Sequence, residues 1–493
     1  LIAAVCAAAV AIIATVVLIQ VRPVQRYVSA QLRQTLGQYG IAFGDAGLGF
    51  SAANLSIVLE NVVVRSPDAP DLPPMAVIPE VRLNLDLPAL IRNREYVIDS
   101  AVLVRPAVEI VVTETGNNMI PVSAGTTTTA TLRRLTARDG SLVFEDRSAR
   151  VSATVPQWDV EIRSHAGGTI AVQFRQKREG ALTLPSAALP VSGLAIDADT
   201  AGGVAVIHRL DVRVAGSDLL AKGTVGFEEP RPLDLSFTGT VRPGGLLAQL
   251  GRGREIEGPL QAHGTISGTL SDPKIDAELQ GKGLRADNLK DIGLAARADY
   301  DARSGRVRIP SFRLDTPAGA ATGEAVLALS PKAGRSTLDA RLNKVDLRAI
   351  GALAGIGFTL ASYATGTVSA SWPGLDYSAA NLDSDLRLAA IGVAPREDAL
   401  PITADLAARL RNRDLTLNFR SFETLGASGS GLITLGGLTN LGGTINASTP
   451  NAGQTLGQFE RLLGRNIGVE GVTGAARVTL RLAGTLKQPT IDF

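Results

Sequence analysis

Hydrophobic and polar residues alternate along most of the chain from residue 40 onward. The alternation is unbroken in Val81 to Leu87, Leu210 to Val214, Leu233 to Thr238, Leu415 to Arg420 and Val478 to Leu482. A period of two gives a β-strand one apolar and one polar face. Helical patterns long enough to connect parallel strands are nearly absent. The pattern therefore predicts a mainly β protein whose strands pair antiparallel.

Turn-forming residues separate these strands. Arg138 to Ser141, Ala302 to Gly305 and Thr316 to Gly319 combine Asp, Ser, Pro and Gly in the manner of tight turns. The run Thr126 to Thr129 is the best candidate for a linker. These signals divide the β region into residues 40–125 and a repetitive region, 126–493.

The first segment is apolar. Leu1 to Val21 contains no charged residue and, as a helix, spans roughly 31 Å, about the thickness of a hydrocarbon core. No small-residue cleavage site follows it, which favours a retained transmembrane anchor over a signal peptide. Because the chain begins inside this segment, we expect a fragment that lacks its N-terminal flank. The predicted anchor residues are Leu1, Ile2, Val5, Val10, Ile12, Ile13, Val16, Val17, Leu18, Ile19 and Val21.

A short amphipathic helix is predicted over residues 22–39. Val24, Tyr27, Val28, Leu32 and Leu36 recur at helical spacing, with Arg and Gln between them. Such a helix can lie on a membrane surface or cap the end of a sheet, and the two interpretations are compatible.

Short helical stretches also mark a repeat. They occur at Leu246 to Leu250, Leu347 to Leu353 and Leu456 to Leu463, about 100 to 110 residues apart. The first and third are followed by similar Gly-Thr-Leu-x-x-Pro-x-Ile-Asp sequences, Gly268 to Asp276 and Gly484 to Asp492. Units that stack through their neighbours predict an elongated body.

Composition narrows the class of protein. Aromatic residues are only 4% of the chain and Gly reaches 52 residues, so we expect a thin, aliphatic β architecture. The formal charge is +2 and no acidic or basic tail exists, so we expect no nucleic acid as partner. The single cysteine, Cys6, excludes an intramolecular disulfide.

Candidate chemistry is sparse. His208 and His263 lie in strand patterns, where a solvated sheet residue is expected more often than a catalytic base. The carboxylate pairs Glu145/Asp146, Glu228/Glu229 and Asp383/Asp385 give no sign of the burial that general acid catalysis needs. Nucleotide-binding, hydrolase and zinc-protease motifs do not occur. We therefore expect no catalysis, no metal and no cofactor.

Several segments carry a family resemblance. The anchor, the amphipathic helix, Gly47 to Phe50 and Leu55 to Val64 resemble the N-terminus of the AsmA-like proteins of Gram-negative bacteria. The resemblance continues through Leu90 to Arg94, Val104 to Ile110 and Asp139 to Asp146. The Gly-Thr-Leu-x-x-Pro-x-Ile sequences are similar to those of TamB-type proteins of the translocation and assembly module. The order of these short segments along the chain is what makes the resemblance specific.

The resemblance implies a place and a function. It implies a single-pass inner-membrane protein whose bulk lies in the periplasm and forms a long, U-shaped β-groove. Such a groove carries phospholipid between the inner and outer membranes. The alternative is a scaffold that assists outer-membrane protein assembly by pairing strands, with an outer-membrane barrel protein as partner.

The apolar strand faces allow two arrangements. Two sheets can close on each other as a sealed sandwich, or one face can line a trough that acyl chains fill. Together with the resemblance, the aliphatic composition favours the trough. The predicted lipid-facing residues are Leu83, Leu85, Leu87, Val108, Ile110, Val112, Leu415, Leu417, Phe419, Val478, Leu480 and Leu482.

Overall fold

A computed structural model describes most of the chain. The described residues are 30, 33–34, 36–37, 40–50, 54–86, 88–89, 96–119, 130–165, 168–184, 187–245, 256–286, 289–349, 359–392, 399–463, 471–485 and 488–492. The chain divides into two compact units, Leu1–Gly253 (unit 1) and Arg254–Phe493 (unit 2). Both are built mainly from β-strands, which confirms the predicted class.

Unit 1 contains strands β1 to β16. Their bounds are β1 Ile41–Ala42, β2 Asp45–Phe50, β3 Asn54–Val64, β4 Ala76–Asp86, β5 Tyr96–Val104, β6 Ala107–Thr113, β7 Gly116–Asn117, β8 Ala130–Leu132, β9 Arg134–Asp146, β10 Val151–Ser164, β11 Ile170–Gln176, β12 Gly180–Leu184, β13 Ala187–Ala201, β14 Val204–Val214, β15 Ser217–Gly226 and β16 Pro232–Val241.

Unit 2 contains strands β17 to β33, helix α1 and two 3₁₀ turns. Their bounds are β17 Ile256–Glu257, β18 Leu260–Thr269, β19 Asp272–Ala286, β20 Leu289–Asp301, β21 Arg306–Thr316, β22 Gly319–Ala328, the 3₁₀ turn Pro331–Ala333, β23 Arg335–Asp346, β24 Thr359–Leu360, β25 Ser362–Pro373, the 3₁₀ turn Tyr377–Ala379, β26 Asn381–Ala390, β27 Ala399–Leu400, β28 Thr403–Arg411, β29 Asp414–Thr424, β30 Ala427–Gly436, β31 Asn440–Thr449, α1 Ala452–Leu463, β32 Ala476–Gly484 and β33 Pro489–Asp492.

Unit 2 follows a simple up-and-down order. From β18 to β33, apart from the two-residue strands β24 and β27, each strand pairs antiparallel with the next. Successive connections consequently lie at opposite ends of the strands, and each set of strand ends forms one edge of this sheet. The edge that carries the β18–β19 turn is called the upper edge. The opposite, lower edge carries α1 and the short helical segment at residues 347–349.

Unit 1 departs from the expected antiparallel order, and there the prediction was wrong. Strands β5 and β6 both run parallel to β9, through pairs such as Leu103 with Ala137 and Val108 with Leu142. Parallel neighbours need a crossover connection rather than a hairpin. The connection here is the segment between β6 and β9, so β5 and β6 lie between antiparallel β4 and parallel β9. Unit 2 adds one short parallel pair, β24 with β27.

One predicted turn was also wrong. Arg138 to Ser141 lies inside β9, where the register with β10 shifts on both sides of Trp158. Asp139 has a φ of 52°, and its N–H donates to the Asp159 carboxylate at 2.9 Å. The Asp-Gly pair therefore forms a β-bulge within a strand rather than a hairpin turn. The predicted turns at 302–305 and 316–319 are confirmed.

The two Gly-Thr-Leu sequences fold alike. In both, a glycine with φ near 90° precedes the turn: Gly268 faces Pro273, and Gly484 faces Pro489. The N–H groups of Asp272 and Gln488 each donate to a threonine hydroxyl at 3.1 Å. The repeated sequence thus encodes a repeated hairpin.

The predicted N-terminal elements lie largely outside the described residues, as do the anchor Leu1 to Val21, Leu87 and the linker Thr126 to Thr129. Within the described part of the chain, no helix is long and apolar enough to cross a membrane. Leu36 packs against the buried cluster of β3 and β4, and Arg33 donates to the Gly44 carbonyl at 2.7 Å. These contacts agree with a helix that caps a sheet.

The division into units falls at Gly253, whereas the sequence-based division was placed at residue 125. Strands from both sides of residue 125 pair with each other, since β5 and β6 pair with β9.

Candidate functional site

The last strands of unit 2 present one continuous apolar face. Leu417 lies opposite Ile433, which lies opposite Gly443, which in turn lies opposite Leu482. Directly opposed residues of neighbouring strands project to the same side of a sheet. The register therefore places Leu417 and Leu482, two widely separated predicted residues, in a single row.

A second row runs beside the first. Phe419 lies opposite Gly431, then Ile445 and Leu480, and its ring meets Phe422 edge-on at 6.2 Å between centroids. These rows define the C-terminal apolar face, whose members are Leu406, Ala408, Leu410, Leu415, Leu417, Phe419, Phe422, Ile433, Leu435, Leu441, Ile445, Leu480 and Leu482. The predicted residue Val478 lies opposite Ala447 on the same side, with 38% of its surface exposed.

This face is only half-covered. Of the thirteen residues that define it, Leu406 alone is buried, and the others keep an intermediate exposure. Inner-face residues of a closed sandwich are excluded from solvent by the facing sheet. In the described residues, the small core here consists of Ala364, Leu388, Ala404 and Leu406, which belong to adjacent strands. Side chains of neighbouring strands, together with Leu347 of the short helical segment at the lower edge, therefore cover this face only in part.

Glycines show which way the sheet bends. On the apolar face, a Cβ added at Gly429 would lie 2.0 Å from the Asn446 carbonyl oxygen, and one at Gly323 2.1 Å from that of Asp339. On the polar face, the nearest atom to a Cβ at Gly293 is a side-chain carbon at 3.7 Å. Close backbone approach on one face only means that neighbouring strands fold toward that face. The sheet of unit 2 is concave on its apolar side at these positions.

The opposite face of unit 2 is polar and ion-paired. Asp383 pairs with Arg409 at 3.2 Å and with Arg411, while Asp385 pairs with Arg420 at 2.5 Å. The Arg411 guanidinium, aided by Arg409, holds the pKa of the Asp383 carboxyl below its ordinary value. Exposed pairs of this kind contribute little stability but keep the convex face wet.

Unit 1 carries an apolar face of its own. Val160, Phe174, Ile196, Leu210 and Ala221 lie opposite one another in order across β10, β11, β13, β14 and β15. Sequence reasoning did not select this row. Its signal was the alternation around Leu210, which predicted the strand but not its neighbours.

Trp158 lies beside that row, in a buried cluster against which Val160 and Phe174 pack. It is 8% exposed, and its ring lies 5.7 Å from that of Phe174 between centroids. A Cβ at Gly140 would meet the Trp158 ring at 2.5 Å, so the bulge in β9 needs glycine there.

The N-terminal predicted residues are placed differently from the C-terminal ones. Leu83 and Leu85 pack against a buried cluster that includes Ile57, Leu59 and Val81. The other three, Val108, Ile110 and Val112, lie opposite Leu142, Phe144 and Asp146 of β9. Both groups therefore lie in unit 1, whereas the C-terminal rows lie in unit 2.

The two candidate histidines lie on the polar faces. His208 meets the Asp199 carboxylate at 2.9 Å and His263 meets Glu278 at 3.0 Å, with about half of each imidazole exposed. Among the residues that the structure describes, no group of three or more His, Cys, Asp or Glu side chains could hold a metal ion.

Comparisons of the whole chain with protein-family models, with curated proteins and with solved structures found no match.

Proposed function

We propose that this protein carries lipid along the concave apolar side of its sheets. The observation that supports this most directly is the half-covered C-terminal apolar face, where residues such as Leu417 and Phe419 keep part of their surface exposed. An exposed apolar surface of this extent is unfavourable in water unless something apolar occupies it. Acyl chains have the required chemistry and the required flexibility.

The aliphatic lining suits a mobile ligand. Leu, Ile, Ala and Gly offer dispersion contacts along the rows but few directional groups that would hold one lipid in one place. Transfer along such a surface is passive, so any energy input must come from a partner. In this proposal, residues 1–21 anchor the chain in the inner membrane, the β units lie in the periplasm, and phospholipid moves toward the outer membrane.

A photo-crosslinking experiment tests the proposal. A photoreactive amino acid is placed at position 417, on the apolar face, and separately at position 432, which lies opposite Asn418 on the polar face. Leu432 is a matched control because it is also a strand leucine and is 44% exposed. After ultraviolet irradiation in cells, the purified protein is analysed by mass spectrometry for phospholipid adducts.

We expect phospholipid adducts at 417 and none above background at 432. Equal labelling at both positions would show nonspecific contact and would contradict the proposal. Adducts at 417 that contain protein instead of lipid would favour the strand-pairing scaffold, whose client must approach an exposed backbone edge.

A further inference from the structure

The two edges of the unit 2 sheet differ in how their turns are covered. At the lower edge, Ala318, Ala361 and Leu425 are each less than 9% exposed. Two of the lower-edge connections are long and contain helical segments, 347–349 and α1. Apolar turn residues at this edge are therefore packed inside the protein.

The upper edge presents its apolar turn residues to solvent. Leu270 is 51% exposed, Leu329 44%, Tyr377 74% and Leu438 40%. Each lies in a different connection, between β18 and β19, β22 and β23, β25 and β26, and β30 and β31. Single exposed leucines are ordinary, but four large apolar tips along one edge form a repeated feature.

Cations fill the intervening positions. The β20–β21 turn carries Arg303, which pairs with Asp272 at 2.6 Å, and the β28–β29 turn carries Arg413, both exposed. The β25–β26 connection carries one exposed carboxylate, Asp376. Lys332, also exposed, follows Leu329 in the same connection. Along the edge, the tips thus read Leu270, Arg303, then Leu329 with Lys332, followed by Tyr377, Arg413 and Leu438.

The spacing of these tips makes a row. From β18 to β31, without β24 and β27, the upper edge carries six connections, and neighbouring strands lie about 4.8 Å apart. The tips from Leu270 to Leu438 therefore extend over roughly 50 Å, before twist shortens the row. A row of this length can contact many lipid headgroups at once.

We propose that the upper edge of unit 2 binds the surface of a lipid bilayer that contains anionic lipids. Leucine tips can enter the boundary between headgroups and acyl chains, while tyrosine is suited to the headgroup level. Arginine and lysine side chains at the same edge attract anionic headgroups and can extend toward them on their alkyl stems. The proposal concerns a surface separate from the C-terminal apolar face and does not depend on lipid transfer.

Site-directed fluorescence tests this contact on the full chain. Cys6→Ala removes the native thiol, and single cysteines at 270, 329 or 438 carry the dye NBD, which brightens in apolar surroundings. Leu432→Cys is the matched control, since Leu432 is as exposed as Leu329 but lies mid-strand. Each protein is reconstituted into vesicles of phosphatidylcholine alone or of phosphatidylcholine with phosphatidylglycerol, with and without brominated acyl chains.

We expect brominated lipid to reduce the fluorescence of the tip dyes by about half in the anionic vesicles, with little reduction at 432. The reduction should weaken in pure phosphatidylcholine, at high salt, or when Lys332 and Arg413 are changed to Gln. Equal quenching at 329 and 432 would overturn the proposal. So would a brightening at 329 that requires no vesicles and grows with protein concentration, since it would identify a protein contact.

The crosslinking at 417 gives an independent readout. Lipid adducts at 417 with unquenched tip dyes would retain the carrier function and reject the membrane contact. The reverse result would reject lipid carriage alone.

Discussion

Two apolar regions of this protein have the same sequence pattern but differ in how far their side chains are buried. In β3 and β4, Leu59 and Val81 lie opposite each other and are 5% and 7% exposed. In β29 and β30, Leu417 and Ile433 lie opposite each other in the same way, yet both stay half-exposed. Alternation therefore identifies an apolar face but does not reveal whether something covers it.

The difference comes from what lies over each face. The chain before β3 folds back, so that Leu36, Ile41 and Phe43 belong to the cluster around Leu59. The Arg33 guanidinium lies 5.3 Å above the Phe43 ring, which closes the cluster from outside. Around Leu417, the described residues supply a small cluster of side chains from neighbouring strands, with Leu347 of the short helical segment at its lower end. The first region is a buried core that stabilises the fold, while the second leaves apolar surface that a ligand can cover.

The largest expected effect on stability comes from a substitution in the covered region. Leu59→Asp places a carboxylate in a buried cluster without a partner, which should lower the free energy of unfolding by about 3 to 5 kcal/mol. Leu417→Asp is the matched change on the half-covered face, where water can hydrate the charge, and should cost less than about 1 kcal/mol. Urea unfolding followed by circular dichroism compares the two. Similar losses for both variants would mean that the C-terminal face is also sealed.

The second prediction uses the same Leu417→Asp variant for function. Because the new charge lies where acyl chains would pass, the folded variant should lose most of its co-purifying phospholipid. Mass spectrometry of extracted lipid, normalised to protein, measures the loss. Leu432→Asp, on the polar face, should keep the lipid content of the unchanged protein. A folded Leu417→Asp protein with normal lipid would count against the carrier.

A third, smaller effect tests the concavity. Gly429→Ala forces a Cβ against the Asn446 carbonyl, so we expect a loss of about 1 to 3 kcal/mol in unfolding free energy. The control, Gly293→Ala, meets only ordinary contacts on the polar face and should be within about 1 kcal/mol of the unchanged protein. Equal effects of the two substitutions would show that close strand approach is not specific to the apolar side.

The smallest effect concerns pH and the bulge of β9. Hydrogen bonds from the Lys177 ammonium and the Gln157 amide hold the pKa of the Asp139 carboxyl below its ordinary value. A lowered pKa stabilises the fold above the unfolded pKa of about 3.9, and this contribution disappears as pH falls through the folded pKa.

Asp139→Asn should consequently remove a small part of the stability at pH 6 and reduce its acid dependence between about pH 5 and 3. Thermal unfolding of the variant and of the unchanged protein, at pH 6 and at about pH 3, measures this difference. An unchanged acid dependence in the variant would mean that the Asp139 ion pair does not contribute.

The sequence specified the local structure well. The strands chosen from perfect alternation lie within strands of the structure as far as the described residues extend, for example Leu415 to Arg420 within β29. Alternation succeeds because a strand with one wetted face requires it, whatever its neighbours are. The repeated Gly-Thr-Leu sequence likewise forms a repeated turn, since the glycine and the threonine hydroxyl act within a few residues.

Other local signals were overridden from a distance. Asp139 and Gly140 read as a hairpin turn, but Asp159 and Trp158 on the neighbouring strand hold them in a bulge. The parallel pairing of β6 with β9 left no signal, because the ladder joins residues more than thirty positions apart. Strand direction depends on distant pairing partners, and the local period carries no information about them.

The sequence by itself determined the class of the protein, the positions of the strands with perfect alternation and which face of those strands is apolar. It also determined the polar faces, since charged residues at alternate positions must remain hydrated. Only the tertiary structure decided that Leu59 is covered while Leu417 is not, and that the exposed tips from Leu270 to Leu438 share one edge. The physical reason is that side-chain polarity is a local property, whereas burial depends on which distant segments fold over a face.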